Sequence, residues 1–466
     1  HKHNMETLQR TANRGSLSTG YDIDNSLKFE ADNTEYLTRT PSSAGNEKTW
    51  TWSGWIKYTE PTLSPQTVFA GGTDSGTYGA INFRLDAGKM ELNTATTGLR
   101  HSTQRFRDPS AWYHFVVAMD TTQSTADDRI KIYVNGSQIT DFSVSNNPPQ
   151  NTDTGVNANE LQTISRRSHA NDRYLSGYMA EVHLIDGTAL TPTSFGEYDD
   201  DSGIWKPKEY TGTYGTNGYY LKFDDSSSLG ADSSGNGNNF TLNNITAADQ
   251  STDTPTNNFA VLNTLHRIPD TTRKEGATVT VKNNNSWRSI VSTLGVSSGK
   301  WYFEMSAGSE YTMIGVAGDA VFGGGTANEN YFGSHTGSIG YYGNSGQKYV
   351  DGTNSSYGNF FVADDIIGAA LDLDNGYVYF SKNGTYQNSG DPTSGATGTG
   401  GIALTGSAPY FLGFSTYQQS DQCEANYGGY HVYSISSGNS DANGYGNFEY
   451  APPTGYYALC TKNLEE

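Results

Sequence analysis

Two hairpin patterns, one in each half of the chain, constrain its fold more than any other feature. Trp112-Tyr113-His114-Phe115-Val116-Val117-Ala118-Met119-Asp120 is followed by Ile130-Lys131-Ile132-Tyr133-Val134-Asn135-Gly136-Ser137-Gln138-Ile139. Asn-Gly beside an alternating run is a strong local signal for a β-hairpin, because both residues tolerate the positive φ of a type I′ turn. In residues 371–384, Asn375-Gly376 and Asn383-Gly384 bracket Tyr377-Val378-Tyr379-Phe380 in the same way. Antiparallel sheets are therefore expected in both halves.

The rest of the chain agrees with that expectation. Leu27-Lys28-Phe29, Tyr36-Leu37-Thr38 and Trp50-Thr51-Trp52-Ser53-Gly54-Trp55-Ile56 show the period-two alternation of half-buried strands. Further strands are expected at 68–69, 80–85, 90–93, 179–184 and 219–223. A second series follows at 277–281, 300–305, 313–316, 339–342, 366–373, 377–382, 410–414 and 424–427. Turn clusters rich in Gly, Asn and Ser separate these runs, as in a β-sandwich. No helix of normal length is expected, and residues 190–196 offer one short turn after Pro192.

Composition excludes several function classes. Aromatic residues make up 12% and charged residues 17%, the reverse of a disordered chain. The net charge of −20 opposes nucleic-acid binding, which needs clustered Lys and Arg, and Arg166-Arg167 is the nearest approach to a basic run. No apolar stretch is long enough to insert in a membrane, and no apolar run follows residues 1–5 as a signal peptide would require. Cys423 and Cys460 are too few for a disulfide framework, and two buried thiols or one bridge both remain open.

The hairpin of the first half resembles laminin-G-like domains, whose W-x-H-V-A strand pairs with a Y-V-N-G hairpin. Residues 50–56 resemble that family's W-T-x-S-x-W-I/V strand, and Leu175-Ser176-Gly177-Tyr178-Met179-Ala180-Glu181-Val182 resembles its closing strand. Residues 371–384 resemble the L-D-x-D-x-G…F-x-x-N-G hairpin of SPRY domains, supported by Gly299-Lys300-Trp301-Tyr302-Phe303-Glu304 and Ile314-Gly315-Val316-Ala317. Both resemblances imply an all-β protein of two tandem concanavalin-like jelly-roll sandwiches. The expected order is an N-terminal arm (1–15), a laminin-G-like jelly roll (16–210), an Asn/Ser/Thr-rich linker with one or two strands (211–274), a SPRY-like jelly roll (275–450) and a C-terminal arm (451–466).

Segments such as Asp22-Ile23-Asp24-Asn25-Ser26-Leu27, Asn257-Asn258-Phe259-Ala260-Val261-Leu262-Asn263 and Gly455-Tyr456-Tyr457-Ala458-Leu459-Cys460-Thr461-Lys462-Asn463-Leu464 resemble virion proteins of tailed bacteriophages, many from marine hosts. That resemblance implies a structural protein on the phage particle surface, an appendage, fibre-associated subunit or capsid decoration. Its expected partners are other virion proteins, a second copy in a homo-oligomer, and a host surface glycan. The alternatives are a free extracellular carbohydrate-binding protein and a glycan-degrading enzyme of the same fold.

Residues 30–35 fit the E-x-D-x-x-E pattern of laminarinase-type hydrolases, which are also jelly rolls. Retaining hydrolysis needs two carboxylates lining one cleft. Here the pattern falls on a polar turn between two strands, so solvated turn acids, not catalysis, are expected, and the chain is read as no enzyme. His114 is expected as a hydrogen-bonded residue of a core strand. Phe322-Gly323-Gly324-Gly325 lacks the Lys of a phosphate loop. Asp232, Ser234, Asn236 and Asn238 put oxygen-bearing side chains at alternate positions, a spacing that lets a loop curl around calcium; a hydrogen-bonded Asx-turn loop is the competing reading. Trp287, Tyr331, Phe332, Tyr341, Tyr342, Tyr349 and Tyr417 are the candidate ligand-binding residues, since aromatic rings pack against sugar C–H faces.

Overall fold

The structure is a computed structural model that describes residues 20–63, 65–73, 76–265, 270–318 and 330–464. The described residues are 41% strand and 4% helical, an all-β protein. It divides into two units, His1–Asn258 and Phe259–Glu466. The arm expected at 1–15 and the Gly-rich stretch 322–325 lie outside the described residues.

Among the described residues, the first unit has two antiparallel sheets of eight strands and a small two-stranded sheet of Gly196–Tyr198 and Trp205–Pro207. One sheet is centred on Trp112–Asp120, Thr49–Tyr58 and Gly177–Asp186, with the hairpin strand Ile130–Val134 at its side. The other includes, as successive neighbours, Phe142–Ser145, Gly98–Arg105, Lys89–Thr94, Ala80–Asp86 and Gln66–Gly72. Alternation sends Trp50, Trp52, Phe83, Leu92 and Phe115 into the space between the sheets, where all are fully buried. Trp52 stacks on Phe69 at 5.9 Å, and Phe106 meets Phe115 edge-on at 5.1 Å. At the hairpin, Asn135 and Gly136 have φ of 46° and 81°, the left-handed pair a type I′ turn demands.

The segment expected as a linker is divided between the two units. Tyr219–Leu221 pairs with Gly177–Asp186, Thr241–Asn243 with Tyr36–Arg39, and Gln250–Ser251 with Ser26–Phe29. Tyr219, Leu221, Phe223, Leu229 and Phe240 join the first core. Their apolar side chains are spaced thinly among Asn, Ser and Gly, which hides a packed segment in a linker-like composition.

Residues 249–258 then cover the outer face of the first sheet. Lys57, on that face, donates to Asp253 at 2.5 Å and to Asn258 at 2.8 Å, while Trp112 Nε1 donates to Asp253 at 3.0 Å. Lys28 meets Glu35 at 3.0 Å and Asp249 at 2.8 Å. Buried ammonium groups of this kind require buried carboxylates, because an isolated charge out of water is prohibitively unfavourable.

The second unit has a nine-stranded sheet that includes Lys300–Ser306, Ile366–Asp372 and Tyr377–Lys382, and a six-stranded antiparallel sheet. The latter runs, in spatial order, Arg288–Val291, Tyr410–Thr416, Thr312–Gly318, Ser338–Tyr342, Gln347–Val350 and Thr353–Ser356. Phe303, Ile314, Leu371, Phe380 and Phe414 fill the core. Asn383-Gly384 forms the expected type I′ geometry, with φ of 46° and 78°. Asn375-Gly376 does not: Gly376 alone is left-handed, and Asp372 Oδ1 accepts the N–H groups of Asp374 and Asn375 at 3.1 and 3.0 Å. An aspartate, rather than a second left-handed asparagine, shapes that turn.

The expected C-terminal arm is part of the second unit. Tyr457–Ala458 adds to Lys300–Ser306 as a parallel strand, and Leu459 and Cys460 are fully buried. Glu304 helps to hold the preceding chain: its carboxylate accepts from the Tyr433 hydroxyl at 2.6 Å and from the N–H groups of Glu449 and Tyr450 at 2.9 and 2.8 Å. Burial raises the pKa of this carboxyl, and these hydrogen bonds oppose the rise. Cys423 and Cys460 are both buried and form no disulfide.

Candidate functional site

A polar cavity of about 270 Å³ lies on the outer face of the second sheet of the first unit. Three adjacent strands build it. Ile81, Phe83 and Leu85 of Ala80–Asp86 face the core, so the intervening Asn82 and Arg84 face outward. Met90 and Leu92 likewise turn Glu91 and Asn93 outward from Lys89–Thr94. Register places Asn82 opposite Asn93, Arg84 opposite Glu91, and Glu91 opposite His101. The turn after Lys89–Thr94 forms one side, and Arg167 and Arg173 reach the cavity from the loop after Gln162–Ile164.

The side chains at the cavity form a network. Arg84 Nε donates to Glu91 at 2.8 Å, His101 Nε2 lies 2.8 Å from Asn93 Oδ1, and His101 Nδ1 lies 3.5 Å from Glu91. Burial lowers the His101 pKa; Glu91 opposes this and Arg84 reinforces it. Asn82 and Asn93 are 2% and 6% exposed, yet Asn82 Oδ1 and Asn93 Nδ2 have no hydrogen-bond partner among the described residues. A buried polar atom left this way costs about 1–3 kcal/mol, so two on opposing residues at one cavity mark a place where a ligand would be stabilising.

The second unit carries an aromatic patch on the outer face of its six-stranded sheet. Trp287 lies 5.3 Å from Tyr331, 5.6 Å from Tyr342 and 5.5 Å from Tyr417, measured between ring centroids. Tyr349 closes the group, 5.4 Å from Tyr331 and 6.0 Å from Tyr342. Tyr417 is 36% exposed, and the other four rings are half-buried. Five of the seven aromatic residues expected at a ligand site therefore meet. The other two do not belong to the patch. Tyr341, the strand neighbour of Tyr342, points into the core and is fully buried. Phe332 packs with Val291 and Ala317 over a glycine-lined stretch of the sheet: a Cβ on Gly315 would lie 2.4 Å from its ring.

Two family profiles match the chain. Residues 31–194 match Laminin_G_3, of the concanavalin A-like lectin/glucanases superfamily, and residues 300–447 match the SPRY domain. The chain carries a concanavalin-like domain followed by a SPRY domain. A relative by sequence is the ATP-dependent RNA helicase DDX1 of Xenopus laevis, 33% identical over 98 residues, which are 21% of this chain and 12% of the helicase. This chain thus spans only a small part of that relative. Among solved structures, a human SPRY domain aligns at 13% identity and a TM-score of 0.24, covering 32% of this chain and 90% of the other. A protein from Bacteroides ovatus described as carbohydrate binding aligns at 18% identity and a TM-score of 0.32, covering 48% of this chain and 60% of the other. A heptameric SAP-like pentraxin from Limulus polyphemus aligns at 16% identity and a TM-score of 0.28, covering 37% of this chain and 80% of the other.

The remaining candidates are held within the concanavalin-like unit. Asp232 accepts four donors: the N–H groups of Tyr220 and Ser234 at 2.9 Å, the Ser234 hydroxyl at 2.8 Å and the Asn238 N–H at 2.8 Å. Asn236 and Asn238 donate to Gly218 O at 2.9 and 2.8 Å. The loop has the hydrogen bonding of a linked Asx-turn structure. Among the described residues, no group of three or more His, Cys, Asp or Glu side chains is arranged to hold a metal ion.

The E-x-D-x-x-E turn differs from expectation: Glu30 and Glu35 are buried, at 3% and 2% exposure, not solvated. Glu35 accepts from Lys28 and from the Glu30 N–H at 2.8 Å, and Glu30 accepts from Ser176 at 3.0 Å. These acids are engaged in holding the first strands together. His114 is placed as expected. It stacks on Trp55 at 4.9 Å, accepts Trp205 Nε1–H on Nδ1 at 2.9 Å, and meets Ser53 through Nε2 at 2.8 Å.

Proposed function

We propose that this chain is a non-enzymatic, glycan-binding structural protein displayed on the surface of a bacteriophage particle, with the sugar held at the polar cavity of the concanavalin-like domain. The observation that carries the reading is the cavity itself, with Asn82 Oδ1 and Asn93 Nδ2 unpartnered. A sugar hydroxyl both donates and accepts, so one hydroxyl or a neighbouring pair would complete both amides. Cavity-lining residues from three strands of one sheet keep the site rigid without a lid.

A binder is favoured over a hydrolase because the one carboxylate in the cavity's side-chain network, Glu91, is held by Arg84 at 2.6 Å, whereas retaining or inverting hydrolysis uses two carboxylates facing the substrate. Assignment to a virion is supported by the sequence resemblance at residues 22–27, 257–263 and 455–464. It is also supported by the acidic charge of −20, which keeps densely displayed copies soluble and apart except at specific contacts. The partners in this reading are a host surface glycan, other virion proteins and further copies in a symmetric homo-oligomer.

Immunogold labelling of purified phage particles with an antibody to this chain tests the location. Gold is expected on the capsid or tail of intact particles. Particles that stay unlabelled while the protein remains in the lysate supernatant would replace this location with that of a free extracellular carbohydrate-binding protein.

A further inference from the structure

We infer that the cavity of the concanavalin-like domain selects an anionic saccharide, one bearing a uronate carboxylate or a sulfate ester, and that Arg173 holds the acid group. This inference rests on the glycan-binding reading above and specifies its substrate class.

The charged residues that line the cavity are arginines. Arg84, Arg167 and Arg173 line the cavity with no Asp or Glu among the lining residues, in a protein of net charge −20. Two of these guanidinium groups are already engaged. Arg84 is paired with Glu91 at 2.6 Å, and Arg167 is paired with Asp172 through contacts of 2.5 and 2.6 Å. Arg173 makes no side-chain hydrogen bond and no ion pair within 4 Å among the described residues. Burial lowers its pKa and Arg84 and Arg167 lower it further, while the carboxylates of Asp172 and Asp86 act the other way. A planar guanidinium suits the holding of an acid group, because it meets a carboxylate or sulfate through two parallel N–H groups.

Backbone geometry fixes the position of that arginine. Arg173 has φ of 60°, a left-handed conformation unfavourable for a long side chain, and its carbonyl accepts the Thr67 N–H at 2.6 Å. Strain held by the surrounding fold is a recurrent property of ligand-binding positions. The opposite side of the cavity provides the amides of Asn82 and Asn93, which suit hydroxyls.

Phe, Tyr and Trp are absent from the lining residues, which are otherwise Thr, Ala, Gly and His101. Neutral sugars gain much of their affinity by packing C–H faces on rings, and this cavity offers no such surface. Its means of attraction are hydrogen bonds and charge. A volume of about 270 Å³ is close to the lower end of ligand pockets and suits one sugar residue with its acid substituent.

Titration calorimetry of the full chain at low salt tests the inference with matched pairs: methyl glucuronide against methyl glucoside, and galactose 6-sulfate against galactose. At least one acidic member is expected to bind about tenfold or more tightly than its neutral parent, the usual scale of a charge-assisted hydrogen bond. Which member binds separates the carboxylate from the sulfate. Arg173→Gln is expected to remove the preference, and Asn82→Ala to remove binding of the preferred sugar, with both variants melting as the wild type does. Equal binding of acidic and neutral sugars that is lost in Asn82→Ala would overturn the acid specificity and leave the glycan site standing. Acid binding that persists in both variants, or competition by inorganic sulfate as strong as by the sugar, would overturn the inference as well. Absence of binding to any of the four sugars in the pairs, followed by absence on a broad glycan array, would overturn the underlying glycan reading.

Discussion

Replacing Asp253 with alanine lowers the stability of the concanavalin-like unit by about 3–5 kcal/mol, the range for removing one partner of a buried ion pair. The side chains of Lys57 and Asp253 are 0% and 1% exposed, so water cannot take over the role of the carboxylate. Without it, the ammonium retains Asn258 Oδ1, and Trp112 Nε1 loses its acceptor. Asp253 also anchors the outer segment, which Ser26 fixes through a 2.6 Å bond to the Asp253 carbonyl. Since whole domains are stable by only about 5–15 kcal/mol, the loss is large enough to unfold a substantial fraction of this unit. Chemical denaturation followed by tryptophan fluorescence measures it. The double variant Lys57→Met/Asp253→Leu is expected to regain most of the loss, because no charge is then left buried. A single variant within about 0.5 kcal/mol of wild type, the range of ordinary surface substitutions, would show that the pair does not hold this face.

Acidification is expected to weaken the same unit through His114. Burial, aided by His183, pushes its pKa down to about 3 from the ordinary 6.5. The geometry agrees: Nδ1 accepts the Trp205 N–H, and a protonated ring would carry a second hydrogen there. A depressed folded-state pKa means that the unfolded chain binds more protons between pH 6.5 and 3. The contribution of His114 is therefore complete above pH 6.5 and declines as pH falls toward 3. By pH 4.5 the loss from this group is roughly 2.5 kcal/mol. Glu35 acts in the opposite sense, since burial lifts its pKa to about 7 despite Lys28, and its contribution is greatest in acid. The diagnostic quantity is thus the difference between wild type and His114→Gln, not the wild-type curve alone. The variant is expected to be less stable at pH 7 but to lose less between pH 7 and 4.5. Parallel curves would mean that the imidazole is not held neutral.

Much of the fold was legible because its strongest signals are local. Asn135-Gly136 and Asn383-Gly384 carry their turn geometry in two residues, and the strand alternation around Trp52 and Phe303 reflects burial against a facing sheet. Signals spread over longer distances were less legible. Residues 211–274 look like a linker because Tyr219, Leu221, Phe223 and Phe240 stand among turn-forming residues, and only the partner strands show where they pack. Lys28 and Lys57 look like exposed strand positions until Asp249 and Asp253 cover them.

The candidate sites divide along the same line. Trp287, Tyr331, Tyr342, Tyr349 and Tyr417 were recognisable as large amphipathic rings. Strand alternation already forbade Tyr341 and Tyr342 from facing the same side. The polar cavity left a weaker trace. Asn82, Arg84 and Asn93 read simply as the solvent half of an alternating pattern, and Gly98–Arg105 is too polar to stand out as a strand. Only strand register brings Asn82 opposite Asn93 and places His101 across from Glu91.

Binding of the intact chain to immobilised host-surface oligosaccharides, compared among wild type, Asn82→Ala and Trp287→Ala, tests the central claim most directly. The cavity and the aromatic patch lie in separate domains, so each substitution disables one candidate and spares the other. Loss of binding in Asn82→Ala with wild-type binding in Trp287→Ala is the predicted result. Wild-type binding in Asn82→Ala with loss in Trp287→Ala would contradict the account and move the sugar to the aromatic face of the SPRY domain.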